Sequence, residues 1–219
     1  GDMYQNSVLD STELDKEKNV IIEEIRMYED TPDEYIHDIF MEKMFMDHPL
    51  SHSILGTEDS INSVTRKQLV DFYHDHYTGD NTILVISGRF DPERAKDMIA
   101  KYFSGLSPAP RPVSKAVKSP GRIDAFHTER DLEQVHFCLG TDGIRRDEDE
   151  RWALYALSTI LGGSMSSRLF QNIREKEGIC YSIYSFHSSY SDTGVFGIYC
   201  ASSPDKFARA VELAVKECR

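Results

Sequence analysis

Residues 161–186 read LGGSMSSRLFQNIREKEGICYSIYSF. Most of the fold is decided by this stretch and its neighbours. The run DEDERWALYALSTILGG, residues 147–163, predicts a helix stopped by the pair Gly162 and Gly163, because glycine tolerates the backbone conformation that ends a helix. A short helix follows over SSRLFQNIREKE, residues 166–177. Past Gly178, ICYSIYSFHSSY and GVFGIYCAS predict two successive strands, rich in β-branched and aromatic residues. The segment SPDKFARAVELAVKE, residues 203–217, predicts a closing helix. Strands in sequential pairs between helices favour an α+β fold over a doubly wound parallel sheet.

Upstream, the chain shares with this half the pattern of a strand followed by a capped helix. Ser11 or Thr12 predicts the cap of a helix running to about Glu29, which Thr31 and Pro32 break. Asp33 opens a second helix, DEYIHDIFMEKMFMD, with Ile36, Ile39, Phe40 and Met44 on one face. Thr65 and Gln68 form a capping box for TRKQLVDFYHDHY. NTILVISGRF, residues 81–90, predicts a buried strand from its continuous apolar centre. Asp91 before Pro92 predicts the start of the helix PERAKDMIAKYF. GLSPAPRPVSKAVKSPGR, residues 105–122, holds four prolines, lacks periodicity and is the linker candidate. Beyond it, RIDAFHTER and EQVHFCLGT predict strands, with Val135, Phe137 and Leu139 alternating in the second.

The totals narrow the function. The chain has 219 residues, 28% of them charged, with a formal net charge of −12. Phosphate backbones need clustered lysine and arginine, so this balance argues against a nucleic-acid partner and equally against an anionic membrane surface. No apolar run reaches transmembrane length. Cys138, Cys180, Cys200 and Cys218 show no metal-site or disulfide spacing, and read as free thiols in a reducing, cytoplasmic compartment. His48 and His52 stand four apart in HPLSH, but Pro49 and the lack of an intervening glutamate argue against a helical metal motif.

Two constellations remain. In DKEKNVIIEEIRMYED, residues 15–30, a helical wheel puts Leu14, Glu17, Ile21, Glu24, Ile25 and Tyr28 on one face. Either the acids belong to an ordinary charged helix, or Glu24 is buried for a purpose, since a desolvated carboxylate needs a partner or a metal. In the second, Arg174 precedes Tyr181 by seven residues across a helix-to-strand turn. Arg174 could cap its helix while Tyr181 packs in a sheet. Alternatively, the guanidinium could grip a peptide carbonyl and the phenol donate to a developing oxyanion.

Taken together, EKNVIIEEI, HPLSHSILGTEDSINSVTRKQLVDFYHDHYTGDNTILVISGRFD and LGGSMSSRLFQNIREKEGICYSIYS closely resemble the M16 metallopeptidases, which include pitrilysin, insulinase and the mitochondrial processing peptidase. The likeness is nearest to the short bacterial processing-protease-like members and covers essentially the whole chain. It implies a LuxS/MPP-like metallohydrolase fold, with mixed or antiparallel sheets flanked by helices and parts of two homologous domains. Residues 1–106 would be the later part of the first domain, 107–122 the linker, and 123–219 the earlier part of the second. The family's inverted motif, H-x-x-E-H, does not occur in these 219 residues. It is expected upstream of Gly1, so the chain alone is expected to be inactive.

For the intact protein the resemblance implies a zinc-dependent endopeptidase acting on unfolded peptides in a clamshell chamber. Glu24 would be the zinc ligand supplied by this chain, and Glu17 would orient or buffer the site. Arg174 would hold the substrate chain and Tyr181 would stabilise the oxyanion. The implied partners are a peptide substrate and either a second copy or a related M16 subunit. Two other readings stand beside this one: a non-catalytic M16-like subunit that binds peptides or scaffolds a partner peptidase, and an acidic α+β interaction domain with only a fold-level likeness.

Overall fold

The computed structural model describes residues 1–46, 48–109 and 124–219. Its helices, in chain order, are α1 (Asp2–Gln5), α2 (Ser11–Glu29), α3 (Pro32–Met44), α4 (Glu58–Ser63), α5 (Arg66–His76), α6 (Pro92–Phe103), α7 (Arg151–Gly162) and α8 (Phe207–Glu217). The strands are β1 (Val135–Asp142), β2 (Cys180–Ser189) and β3 (Gly194–Ser202), with a π-helix at Phe170–Lys176 between α7 and β2. Two compact units result: Gly1–Ile25 with Leu55–Lys115, and Arg26–Ile54 with Ala116–Arg219. This is a different division from the expected homologous halves. Most of the expected linker lies outside the described residues.

In the first unit the helix starts are local chemistry. Thr65 Oγ1 accepts from the backbone nitrogen of Gln68, whose side chain accepts from the Thr65 nitrogen, completing the expected box. Asp91 Oδ1 accepts from the nitrogens of Glu93 and Arg94, with Pro92 at the first helical position. The start of α2 differs from expectation. Asp10 caps it, accepting from the nitrogens of Thr12 at 2.8 Å and Glu13 at 3.2 Å, while Ser11 is already helical. An aspartate one residue earlier competes well because its carboxylate meets two free donors and the positive helix end. The Tyr4 ring lies 4.9 Å from that of Tyr77 and 6.3 Å from that of Phe103, and its carbonyl accepts from the Tyr73 hydroxyl at 2.5 Å.

The strand expected at residues 81–90 does not form. Gly79–Asn81 is a 3-10 turn, the segment after it is in no ladder, and Ile83 and Val85 are 78% and 79% exposed. Apolar, β-branched residues make a strand only where a neighbouring strand accepts their backbone bonds. Among the described residues none does. The same holds for the described part of RIDAFHTER, which carries no strand.

The second unit holds the sheet. Its order is β1-β3-β2, antiparallel throughout, so the central strand follows the hairpin that joins it to β2. β3 is buried at nearly every position, as a strand covered on both faces requires. Leu161 of α7, Leu169 and Ile173, Ile183 of β2, Ile198 and Cys200 of β3, and Leu213 of α8 form one apolar core. Leu169 and Ile173 are wholly buried, each worth about 1.5–3 kcal/mol of transfer free energy. The glycine pair does more than end α7. A Cβ on Gly162 would collide with the backbone nitrogen of Ser185, so this glycine lets α7 lie directly on β2. Ser158 and Ser185 secure that approach, the Ser185 hydroxyl donating to the Ser158 carbonyl at 2.7 Å.

Candidate functional site

Arg174 and Tyr181 are brought together. Arg174 sits in the π-helix, whose wider turns take the place of the ordinary short helix expected for residues 166–177; such turns are common at functional sites. Leu169 and Ile173 anchor it in the core. The chain then reverses through Gly178, whose φ of +59° suits glycine. The nitrogens of Gly178 and Ile179 donate to the carbonyls of Arg174 and Ile173, both at 3.2 Å, and Lys206 Nζ donates to the Gly178 carbonyl at 3.0 Å. This turn fixes the separation of the two side chains.

The Arg174 guanidinium carbon lies 4.5 Å from the Phe170 ring centroid and 4.8 Å from that of Tyr181. Both distances suit attraction between a cation and an aromatic face. Its ion pair with Glu175 is long, 3.9 Å, and partly exposed, so it contributes little. Tyr181 is 77% exposed, and its hydroxyl has no hydrogen-bond partner among the described residues. Tyr181 has no opposite residue on β3, because the register shifts between Cys180 and Ser182. It is therefore the extra residue of a β-bulge, a device that re-aims a side chain out of the alternating pattern. Tyr181 projects from the sheet rather than packing in it, and among the described residues Arg174 makes no side-chain hydrogen bond to its helix's carbonyls.

Beside Tyr181 opens a groove of about 460 Å³, lined by Asp33, Glu133, His136, Ser182 and Tyr199 among others. One histidine–tyrosine pair, His136 with Tyr199, lines it, and a second, His37 with Tyr184, packs against Tyr199. His136 Nδ1 and the Tyr199 hydroxyl are 2.9 Å apart, as are His37 Nε2 and the Tyr184 hydroxyl. The Tyr184 and Tyr199 rings are 4.9 Å apart. Burial lowers the pKa of both histidines, against smaller opposing effects of Asp33 on each and of Asp38 on His37. Burial likewise raises both phenols. Nothing in the sequence reading singled out these pairs. His136 falls on the alternating pattern of its strand, but His37 meets Tyr184 only through the tertiary fold. One residue from Tyr181, the Cys180 thiol is held below its usual pKa, chiefly by its hydrogen bond with Cys200 and in smaller part by the Arg174 charge.

Glu17 and Glu24 lie on α2 within the first unit, and both are exposed. The buried positions there are Ile22 and Ile25, so the apolar stripe is rotated from the one the wheel suggested. The expected apolar surroundings of Glu24 are not formed by the described residues. A catalytic zinc takes about three protein ligands. Glu24 offers one carboxylate, without a partner among the described residues, and no group of three or more histidine, cysteine, aspartate or glutamate side chains among them could hold a metal. The donor set present does not by itself fit zinc.

The family described as "Peptidase M16 inactive domain" matches residues 63–219. The chain belongs to the M16 peptidase family. It is 38% identical over 216 residues to the uncharacterized zinc protease YmxG of Bacillus subtilis, covering 96% of this chain and 51% of that one. It is 37% identical over 227 residues to an uncharacterized zinc protease of Streptomyces coelicolor, covering 100% and 48%. The chain thus spans about half the length of these curated relatives. Among solved structures, an M16 inactive domain from Pseudomonas fluorescens superposes with a TM-score of 0.88 at 23% identity, over 98% of this chain and 52% of that one. A protease from Helicobacter pylori gives 0.80 at 21% identity, over 93% and 52%. Both likenesses bear on the fold: helices with a small antiparallel sheet, as expected.

Proposed function

We propose that this chain is part of an M16 zinc endopeptidase in which it handles the peptide rather than housing the metal centre. Tyr181 donates from its free hydroxyl to the oxyanion that forms when the scissile carbonyl is attacked, and Arg174 holds a carbonyl of the same peptide. The first contact gains strength as charge develops on the oxyanion; the second is a charge-assisted hydrogen bond that holds the chain. Zinc, when bound, supplies Lewis acidity and an activated water. Glu24 is the ligand we assign to this chain, with Glu17 orienting it and the remaining ligands coming from outside residues 1–219. Alone, the chain is inactive. Unfolded peptides are the proposed substrates, a second copy or a related M16 subunit the proposed partner, and the cytoplasm the proposed compartment.

The observation that carries this reading is the guanidinium held between two rings beside an exposed phenol with no internal partner. In the intact protein, Tyr181→Phe is expected to lower kcat by about 10- to 1,000-fold with KM changed only a few-fold, because it removes a contact made mainly in the transition state. An unchanged kcat removes Tyr181 from the mechanism. The family description "inactive domain" favours a second reading, a non-catalytic peptide-binding subunit. That reading requires no hydrolysis by the intact protein, together with peptide binding that Arg174→Gln weakens.

A further inference from the structure

A second pocket lies in the second unit, beside the first turn of α7. It has a volume of about 320 Å³ and is lined by Arg146, Arg151, Trp152, Tyr155, His187 and Ser189. None of these residues belongs to the machinery proposed above. In a chain with 37 acidic and 25 basic residues, most cations near a carboxylate are expected to use it. Arg145 does, pairing with Asp147 at 3.3 Å and Glu148 at 3.1 Å. Arg146 and Arg151 have no carboxylate partner among the described residues.

Their guanidiniums are instead held in place by carbonyls. Arg146 Nε and Nη2 donate to the Ser189 carbonyl at 3.4 and 3.3 Å, and Arg151 Nη1 donates to the Arg146 carbonyl. Arg151 Nε is buried with no acceptor among the described residues. The charge of the two guanidiniums facing the pocket is thus unmatched there, and a carboxylate is the acceptor whose two oxygens match a guanidinium edge. Asp149 and Glu150 are nearby in sequence, but they are exposed and do not line the pocket.

The other walls are flat and apolar. Trp152 is 63% exposed and stacks under the Arg151 guanidinium at 4.7 Å. The Tyr155 and His187 rings meet edge to face at 5.5 Å. The volume is at the small end of ligand pockets, about 300–1,000 Å³, which suits a single ring with a short acid arm. We propose that this pocket binds an aromatic carboxylate, its oxyanion on Arg151 and Arg146 and its ring against Trp152 and Tyr155. The ligand is either a free aromatic acid or the C-terminal aromatic residue of a peptide.

Trp152 is the only tryptophan in the chain, so its fluorescence reports occupancy directly. Titration of the 219-residue chain with phenylacetate or Gly-Gly-Phe is expected to change that emission saturably. Saturation by phenylacetate alone identifies a small-molecule site; saturation by both identifies a site that also takes peptide ends. Gly-Gly-Phe amide and acetate are each expected to bind at least about tenfold more weakly, the scale of one charge-assisted bond or of a stacked ring. Arg151→Gln and, separately, Arg146→Gln are expected to weaken phenylacetate by a similar factor while far-ultraviolet circular dichroism stays unchanged. The proposal is overturned if neither acid saturates, if the amide or acetate binds as well as its counterpart, or if either well-folded arginine variant binds phenylacetate normally.

Discussion

ICYSIYSF, residues 179–186, and TILVIS, residues 82–87, look alike in composition, and both predict strands. The first falls in β2, which pairs with β3 at every position except Tyr181 and packs on α7. The second lies in no ladder, with Ile83 and Val85 facing solvent. The difference is not in the segments themselves. β2 has a partner joined to it by a short turn, whereas residues 82–87 have none among the described residues. β-propensity therefore describes what a segment can do once a neighbour is supplied, and an apolar segment left unpaired is an open edge.

That contrast can be broken by mutation. Ile173→Ala, beneath the Arg174 turn, is expected to cost about 2–5 kcal/mol in denaturant unfolding, the range for emptying a filled core position. A loss below about 1 kcal/mol, smaller than typical core truncations, would mean that the core described around β2 is not the stabilising one.

The next expected effect is a pH dependence confined to the second unit. His37 and His136 have pKa values lowered by burial from 6.5. Near neutral pH they are unprotonated in both folded and unfolded chains. As pH falls below about 6.5, the unfolded chain takes up protons first, so stability declines until the lower folded values are passed. His37→Gln should flatten the descent, measured as unfolding midpoint from about pH 7.5 to about pH 5. A midpoint that is level through that range, or a slope untouched by the substitution, would contradict the buried His–Tyr pairs.

The smallest effect belongs to the unpaired segment. Ile83→Ala is expected to shift stability by no more than about 0.5 kcal/mol, as exposed substitutions do. A loss approaching that of Ile173→Ala would show that residues 82–87 are packed in solution, and would remove the contrast.

The same distinction explains what the sequence could and could not disclose. The Thr65–Gln68 box, the Asp91–Pro92 start, the extent of α6 and the end of α7 on glycine are set within a few residues, and all were legible. So was the pair of strands after Gly178. The unformed strand at 82–87 and the rotated burial of α2, on Ile22 and Ile25, depend on contacts between distant segments. At the site, the spacing of Arg174 and Tyr181 and the family likeness were enough to select both residues, while the bulge and the π-helix that aim them were not readable. Glu24 is exposed on α2, and only the family likeness, not its local sequence, singles it out from the other acids of that helix. The pocket at Arg146 and Arg151 gave no motif, because its residues come from a loop, a helix start and the far end of a strand.

Tyr181 occupies the one place in β2 that the sheet does not count. Having no opposite number on β3, it can be exchanged without shifting the facing of its strand neighbours, although Arg174 loses the ring it stacks on. Given the role proposed for Tyr181, chemistry and architecture are separable at that position: a lineage could discard the phenol, keep the frame intact, and turn a working protease into a silent scaffold through a single protruding side chain.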